Sequence, residues 1–314
     1  MLRTAVPFLL GLASAYSPGS EVARRQLRGV FGGGDPDPVL ACPVSKAGLT
    51  AEVTVVGGQV RRMLKARGTA YPVNEVYADL TPRSSTPIGL DQLADELFSV
   101  FSMQTGIFRT PLMAWYYERG WRQNFNAMGF PGIDKEFAEA SEFFGPVADG
   151  GTVADISCGT GLMARRLVGS GRYARCLALD FSEEMLRETS RRFEDERVQK
   201  SCQLSLVRAD AAALPLATGA VDAVHAGAAL HCWPRLEEAL AEVARSLKPG
   251  GRFYATTFFE GAMGTQQLQG SGSMRMFKDA AELEGLLIDA GFDPKTLDVR
   301  REGRACAIIR AEAL

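Results

Sequence analysis

Three aspartates and one glycine-bearing turn fall where a chain of this pattern can grip a small ligand. Residues 155 to 161 read DISCGTG and follow an apolar run, TVADIS, that hands over to a helical pattern. Gly159 and Gly161 let backbone approach a ligand with no Cβ in the way. A helix start beside them offers unpaired amide N–H groups to a carboxylate or a ribose oxygen, while Asp155 can accept from an ammonium group. Asp180 follows nineteen residues after Gly161, the spacing at which a carboxylate accepts from both hydroxyls of a ribose. Asp210, ending a third apolar run, can combine with the Ala211 amide to hold the edge and exocyclic amine of adenine. The set suits a nucleoside that also carries an amino acid.

A rival stands beside it. Gly159, Gly161 and Ala164 also fit the G-x-G-x-x-A fingerprint of a dinucleotide site, so a nicotinamide-dependent oxidoreductase stays open on spacing alone. Asp155 weighs against it, because a carboxylate at the head of the turn would repel a pyrophosphate.

These residues need elements to position them. TVADIS (152 to 157), a helix from about 160, CLALD (176 to 180), a helix from 183 and LSLVRAD (204 to 210) alternate regularly. VDAVHAG (221 to 227), a helix near 235 to 247, RFYATTF (252 to 258), a helix near 278 to 290 and a strand pair near 296 to 310 continue the series. Such alternation predicts an α/β fold with a doubly wound, mostly parallel sheet. Ser182 can cap the helix that Glu183 and Glu184 open, Pro249, Gly250 and Gly251 stop the next, and Gly291 ends the last. Upstream, helical spacing of Leu93, Leu97, Val100 and Phe101 predicts a helical cap over 91 to 145, and 39 to 90 reads as a small irregular segment with β-like runs such as AEVTVV.

Composition bounds the partners. The 314 residues are 46% hydrophobic and 23% charged, with a net charge of -2 and no run of basic residues. That excludes an electrostatic case for nucleic acid and favours a small-molecule ligand. The six cysteines have no zinc-ribbon or redox spacing, so no metal is expected and they read as reduced packing thiols.

DISCGTG, ALDFSEEML, ADAAALPL and the LKPGG turn, in that order, resemble the motifs of the methyltransferase type 11 family. YERGWRQNF (117 to 125), GFPGIDKEF (129 to 137) and DAVHAGAALHCWP (222 to 234) are similar, more narrowly, to plastid methyltransferases of plants and algae, over a span from about 105 to the C-terminus. The resemblance implies a seven-stranded Rossmann-like sheet with an N-terminal helical cap and S-adenosyl-L-methionine as cofactor. It adds Ser157, Cys158, Phe181, Ala226 and Gly227 to the cofactor residues already named. An association with plastid membranes or lipid bodies is implied for the relatives. Plant relatives also carry a cysteine-rich segment near the start of the mature chain. Here CPVSK (42 to 46) keeps only Cys42, which removes the case for zinc.

The first residues fit a plastid address. Arg3 precedes the apolar run AVPFLLGLASAY, Ala13, Ser14 and Ala15 form a cleavage site, and VARRQLRGVF is Arg-rich like a transit peptide. ASAYSP resembles the ASAFAP-type junction of algal plastid proteins, with Tyr16 for the usual Phe, and a plain secretory signal is the alternative. GGGDPDP (32 to 38) reads as a linker. The expected division is a targeting segment and linker over 1 to 38, an N-terminal segment with cap over 39 to 145, and a cofactor domain over 146 to 314.

Methyl transfer is an in-line displacement, so alignment alone supplies up to ~7–11 kcal/mol. A base is needed only if the acceptor loses a proton. His231 is the candidate base, with packing of His231 and Trp233 over the cofactor as the alternative, and His225 reads as a satisfied core histidine. Tyr117, Trp121, Arg122 and Asn124, with His231 and Trp233, are candidates for acceptor binding through cation–π and charge contacts, against an amphipathic packing helix. Three functions are expected to compete. They are methylation of a prenylquinone-like or phenolic metabolite, S-methylation of a small thioether acid to a sulfonium osmolyte such as dimethylsulfoniopropionate, and a non-catalytic cofactor-binding assembly factor.

Overall fold

The computed structural model describes residues 38–56, 59–82, 128–198, 201–260 and 275–314. Strands β5 (Thr152–Ile156), β6 (Arg175–Asp180), β7 (Gln203–Arg208), β8 (Val221–Ala226) and β9 (Leu247–Phe258) run parallel, in the order β7-β6-β5-β8-β9. Strands β11 (Cys306–Glu312) and β10 (Asp298–Glu302) add antiparallel beyond β9. Every residue of β5 and β8 is buried, as strands covered on both faces must be.

Side-chain alternation divides the core in two. Ala154, Leu177, Leu179, Val224 and Phe253 pack with Leu240 of α4 (Leu236–Ser246) and Leu287 of α5 (Ala280–Ala290). Val153, Cys176, Ala178, Ala223 and Tyr254 face the other way. They pack with Phe144 of α1 (Ile133–Ala148), Leu167 of α2 (Leu162–Gly169) and Phe193 of α3 (Glu183–Asp195). The chain steps outward from β5 through β6 to β7 and then restarts on the other side at β8, so the order reverses between β5 and β8. A crevice at the carboxyl ends of these strands is where such sheets take their ligands.

Four strands extend this seven-stranded core to eleven: β1 (Thr50–Val56), β2 (Gln59–Ala66), β3 (Thr69–Val73) and β4 (Ala78–Asp79). They form an antiparallel meander whose last strand lies parallel to β7. The β-like run AEVTVV is β1, and the described residues up to 82 are not an irregular segment but continue the parallel sheet. Leu64, Tyr71 and Val73 share one core with Leu214 and Leu216, and Ala41 N–H donates to Pro215 O at 2.9 Å while Ala217 N–H donates to Val39 O at 2.8 Å. Asp79 pairs with Arg208 at 3.1 Å, and the Tyr77 hydroxyl donates to Glu183.

Two boundaries differ from expectation. Helix α1 crosses the expected division at 145/146 and packs on the sheet through its buried stripe of Ala140, Phe144 and Ala148. Helix α4 ends at Ser246, one residue before LKPGG, which already belongs to β9 and turns at Gly250 with φ 75°. Ser182 caps α3 by accepting from Met185 N–H, and Gly291 ends α5 with φ 105°. The expected targeting segment and the cap from 91 to 127 lie outside the described residues. Among the described residues no helix is long and apolar enough to cross a membrane.

Because the meander shares its core with the parallel sheet, it should unfold with it. Leu64→Ala is expected to lower stability by about 2–5 kcal/mol within one cooperative urea transition. An early, separate transition of the N-terminal strands would contradict that unity.

Candidate active site

The turn after β5 is held open by its neighbours. Ser157 (φ 57°), Gly159 (φ 56°) and Gly161 (φ 77°) take left-handed conformations. Ser157 pays a steric penalty for this that glycine does not, and its hydroxyl accepts from Trp233 Nε1 at 3.0 Å. Gly159 N–H donates to Asp180 Oδ2 at 2.9 Å and Gly159 O accepts from the Thr189 hydroxyl at 2.8 Å. A Cβ on Gly161 would stand 2.6 Å from Thr189 Cγ2. Helix α2 begins there with no side-chain cap and no acidic residue in its first turn. Its amides and dipole thus remain available to an anion.

Asp180 is half-buried at the tip of β6, and its Oδ1 accepts from Ser182 N–H at 2.8 Å. Burial pushes its carboxyl up to about 6 against the opposing backbone hydrogen bonds from Ser182 and Gly159. Each oxygen keeps a lone pair for a further donor. Phe181 follows with the Arg208 guanidinium 5.4 Å from its ring centre. Asp210 caps the turn over Ala211–Ala213 by accepting from Ala212 N–H at 2.9 Å, and its other oxygen pairs with Arg235 at 2.7 Å. The sequence shows no such partner for Asp210. The pair is exposed enough to be worth little, so a ligand amine can replace it at low cost.

Asp155 and His225 are direct neighbours in the β5–β8 register, and Tyr254 continues the same row on β9. His225 Nδ1 lies 2.8 Å from Asp155 Oδ1, and its Nε2 lies 3.2 Å from Glu136 Oε1 on α1. Asp155 is 1% exposed and Glu136 and His225 are 2% exposed. Burial pulls the imidazole down, but the hydrogen bonds and charges of Asp155 and Glu136 outweigh it and hold it at about 9, so it is a cation at neutral pH. The other Asp155 oxygen, Oδ2, is buried and has no hydrogen-bond partner among the described residues. Ala226 is buried at the end of β8, and a Cβ on Gly227 would meet Glu136 Oε1 at 2.7 Å. Glu136 escaped the sequence reading although its signal was present: it is the charged member of the apolar stripe formed by Ala140, Phe144 and Ala148.

His231 is 4% exposed, its Nδ1 lies 3.4 Å from the Thr257 hydroxyl, and its ring meets Phe258 edge-on at 4.7 Å. Burial lowers it to about 3, so it stays neutral. Phe130 packs on Phe258 at 4.5 Å, adding an aromatic wall at the carboxyl end of β9. Trp233 is buried, its indole committed to Ser157. Burial drives the Cys158 and Cys232 thiols upward, Cys232 to about 12, which leaves them poor nucleophiles. Tyr117, Trp121, Arg122 and Asn124 lie outside the described residues.

The donor set fits a ligand with a ribose, an α-carboxylate and an ammonium group: an uncapped helix start, a half-buried carboxylate and an orphaned carboxylate oxygen surround one glycine turn. Gly161→Ala is expected to cost about 1–3 kcal/mol through its left-handed backbone, measured by urea unfolding. Adding Thr189→Ala should recover only the part due to the clash; full recovery would show that backbone strain there is negligible.

Residues 154–255 match the family model described as a methyltransferase domain. An uncharacterised chloroplastic methyltransferase of Arabidopsis thaliana is 45% identical over 189 residues, covering 60% of this chain and 51% of that one. A second from the same plant is 42% identical over 229 residues, covering 70% and 61%. The chain thus spans about half to three fifths of the length of these curated relatives. A solved SAM-dependent methyltransferase from Aquifex aeolicus superposes with a TM-score of 0.52 at 18% identity, over 65% of this chain and 99% of that one, which shows a shared fold. Strand order, glycine turn and matched span agree that residues 154–255 carry a methyltransferase domain with the Rossmann-like fold of S-adenosylmethionine-dependent methyltransferases.

Proposed function

We propose that the protein transfers a methyl group from S-adenosylmethionine to a small-molecule acceptor in the plastid. The observation that carries this is the row of four parallel strands, β7-β6-β5-β8, which places at or just beyond their carboxyl ends residues suited to the parts of the cofactor, beside the reversal of strand order between β5 and β8. Asp180 accepts from the ribose hydroxyls, Asp210 and the Ala211 amide hold adenine, and Asp155 faces the ammonium group. Ser157, Cys158, Gly159 and Gly161 shape the turn beneath the methionine end, with Phe181, Ala226 and Gly227 flanking it. When bound, the cofactor supplies an electrophilic methyl group on a sulfonium. The residues of the chain align an acceptor with it and exclude water. The chloroplastic names of the Arabidopsis relatives support the location.

The acceptor we infer is a prenylquinone-like or phenolic metabolite, supported by the aromatic wall of Phe130, His231 and Phe258. Tyr117, Trp121, Arg122 and Asn124 are the further acceptor-binding candidates of the sequence. S-methylation of a thioether acid is the second reading, and a specific observation favours it. The chain has two histidines, one held as a cation by two carboxylates and the other buried neutral, so neither titrates near neutrality. A thioether needs no base.

Calorimetry with S-adenosylhomocysteine, then a screen of plastid phenols, quinols and thioether acids with labelled methyl groups, tests both levels. Binding without transfer to any of them would favour an assembly factor. His231→Ala is expected to keep turnover within about tenfold, since an essential base contributes about 10²–10⁴-fold; a larger loss would restore it as a base. Asp180 must be ionised to accept from both ribose hydroxyls, so affinity should fall as pH drops through about 6. The expected loss is about tenfold between pH 7 and 5, with Asp180→Asn weak and flat across that range.

A further inference from the structure

The buried row beneath the glycine turn contains more charge than a packing layer needs. Asp155, His225 and Glu136 form a continuous chain from β5 through β8 to α1, with links of 2.8 and 3.2 Å. Thr256 donates to Glu136 Oε1 at 3.2 Å and receives Ala228 N–H at 2.7 Å, so the chain also reaches the loop after β8. The cluster dictates its surroundings: Gly227 has no room for a Cβ because Glu136 Oε1 and His225 occupy that space.

The charges explain the arrangement. Two carboxylates in this volume repel one another, and the imidazolium between them offsets that repulsion. One oxygen of the cluster, Asp155 Oδ2, is left uncommitted, and a buried charged oxygen without a donor is costly unless a ligand supplies one. The charge of Asp155 is felt at both Asp180 and Cys158, which places it beside the proposed cofactor site.

We propose that Glu136 and His225 are positioning residues that hold Asp155 in orientation, with its free oxygen reserved for the ammonium group of the cofactor. The proposal rests on the reading that this site binds S-adenosylmethionine. His225 faces Asp155 from β5, Glu136 from α1 and the Tyr254 ring from β9 at 6.1 Å. Burial holds the Tyr254 phenol well above its ordinary range, and its hydroxyl donates to Glu139, so it adds no charge.

Two ligands separate the parts. S-adenosylhomocysteine carries the amino acid, whereas 5′-methylthioadenosine keeps the nucleoside and thioether and lacks it. Titration calorimetry on the full chain at pH 7.5 should show the wild type preferring S-adenosylhomocysteine. His225→Gln is expected to weaken S-adenosylhomocysteine about tenfold or more, the scale of a charge-assisted contact, and to leave 5′-methylthioadenosine within about twofold. Glu136→Gln, nearly isosteric, guards against a folding defect and adds a second readout. Having lost one carboxylate, its His225 should deprotonate below the wild-type value of about 9, and the preference should vanish at a correspondingly lower pH. The amine of the ligand is common to both proteins, so only the shift between them counts. Parallel weakening of both ligands, or an unmoved pH profile, would overturn the proposal. Failure of the wild type to bind either ligand would instead refute the cofactor reading beneath it.

Discussion

The hydrogen bond from Gly159 N–H to Asp180 Oδ2 ties the turn after β5 to the tip of β6, and the geometry of the site depends on it. It holds the glycine turn in its left-handed backbone and a carboxylate at the neighbouring strand end. A parallel sheet makes this economical, because strands sharing one direction bring their carboxyl ends to one edge without long loops. Trp233 closes the same turn from the other side through Ser157, so β5 is braced by both neighbours.

Electrostatics then sorts the aspartates by depth. Asp210 is exposed and paired with an arginine, Asp180 is half-buried and raised, and Asp155 is fully buried beside an imidazolium. A sulfonium amino acid nucleoside is cationic at one end and polar at the other, and this gradient matches it. The segment before β1 contributes indirectly, since Val39 and Ala41 pair with 215 to 217 just after the segment that carries Asp210 and Ala211.

Much of this was legible in the sequence. Alternation of apolar runs with helical spacing gave the parallel sheet, and Gly159, Gly161, Asp180 and Asp210 stood at strand ends because that is where their spacing put them. Of the meander only AEVTVV, which is β1, was legible, since β2 is rich in Arg and Lys and β4 has two residues whose identity as sheet depends on pairing with β7. The Asp155–His225–Glu136 row was hidden for another reason: it joins residues 70 and 89 positions apart, brought together by the strand register and the packing of α1. His225 read correctly as a satisfied core histidine, but nothing local showed what satisfies it.

The central claim is that three strand tips address one molecule. A crystal structure of the complex with S-adenosylhomocysteine measures this most directly. The account predicts ribose hydroxyls on Asp180, adenine beside Asp210 and Ala211, and the amine against Asp155. A ligand bound with Asp155, Asp180 and Asp210 facing separate surfaces would contradict it.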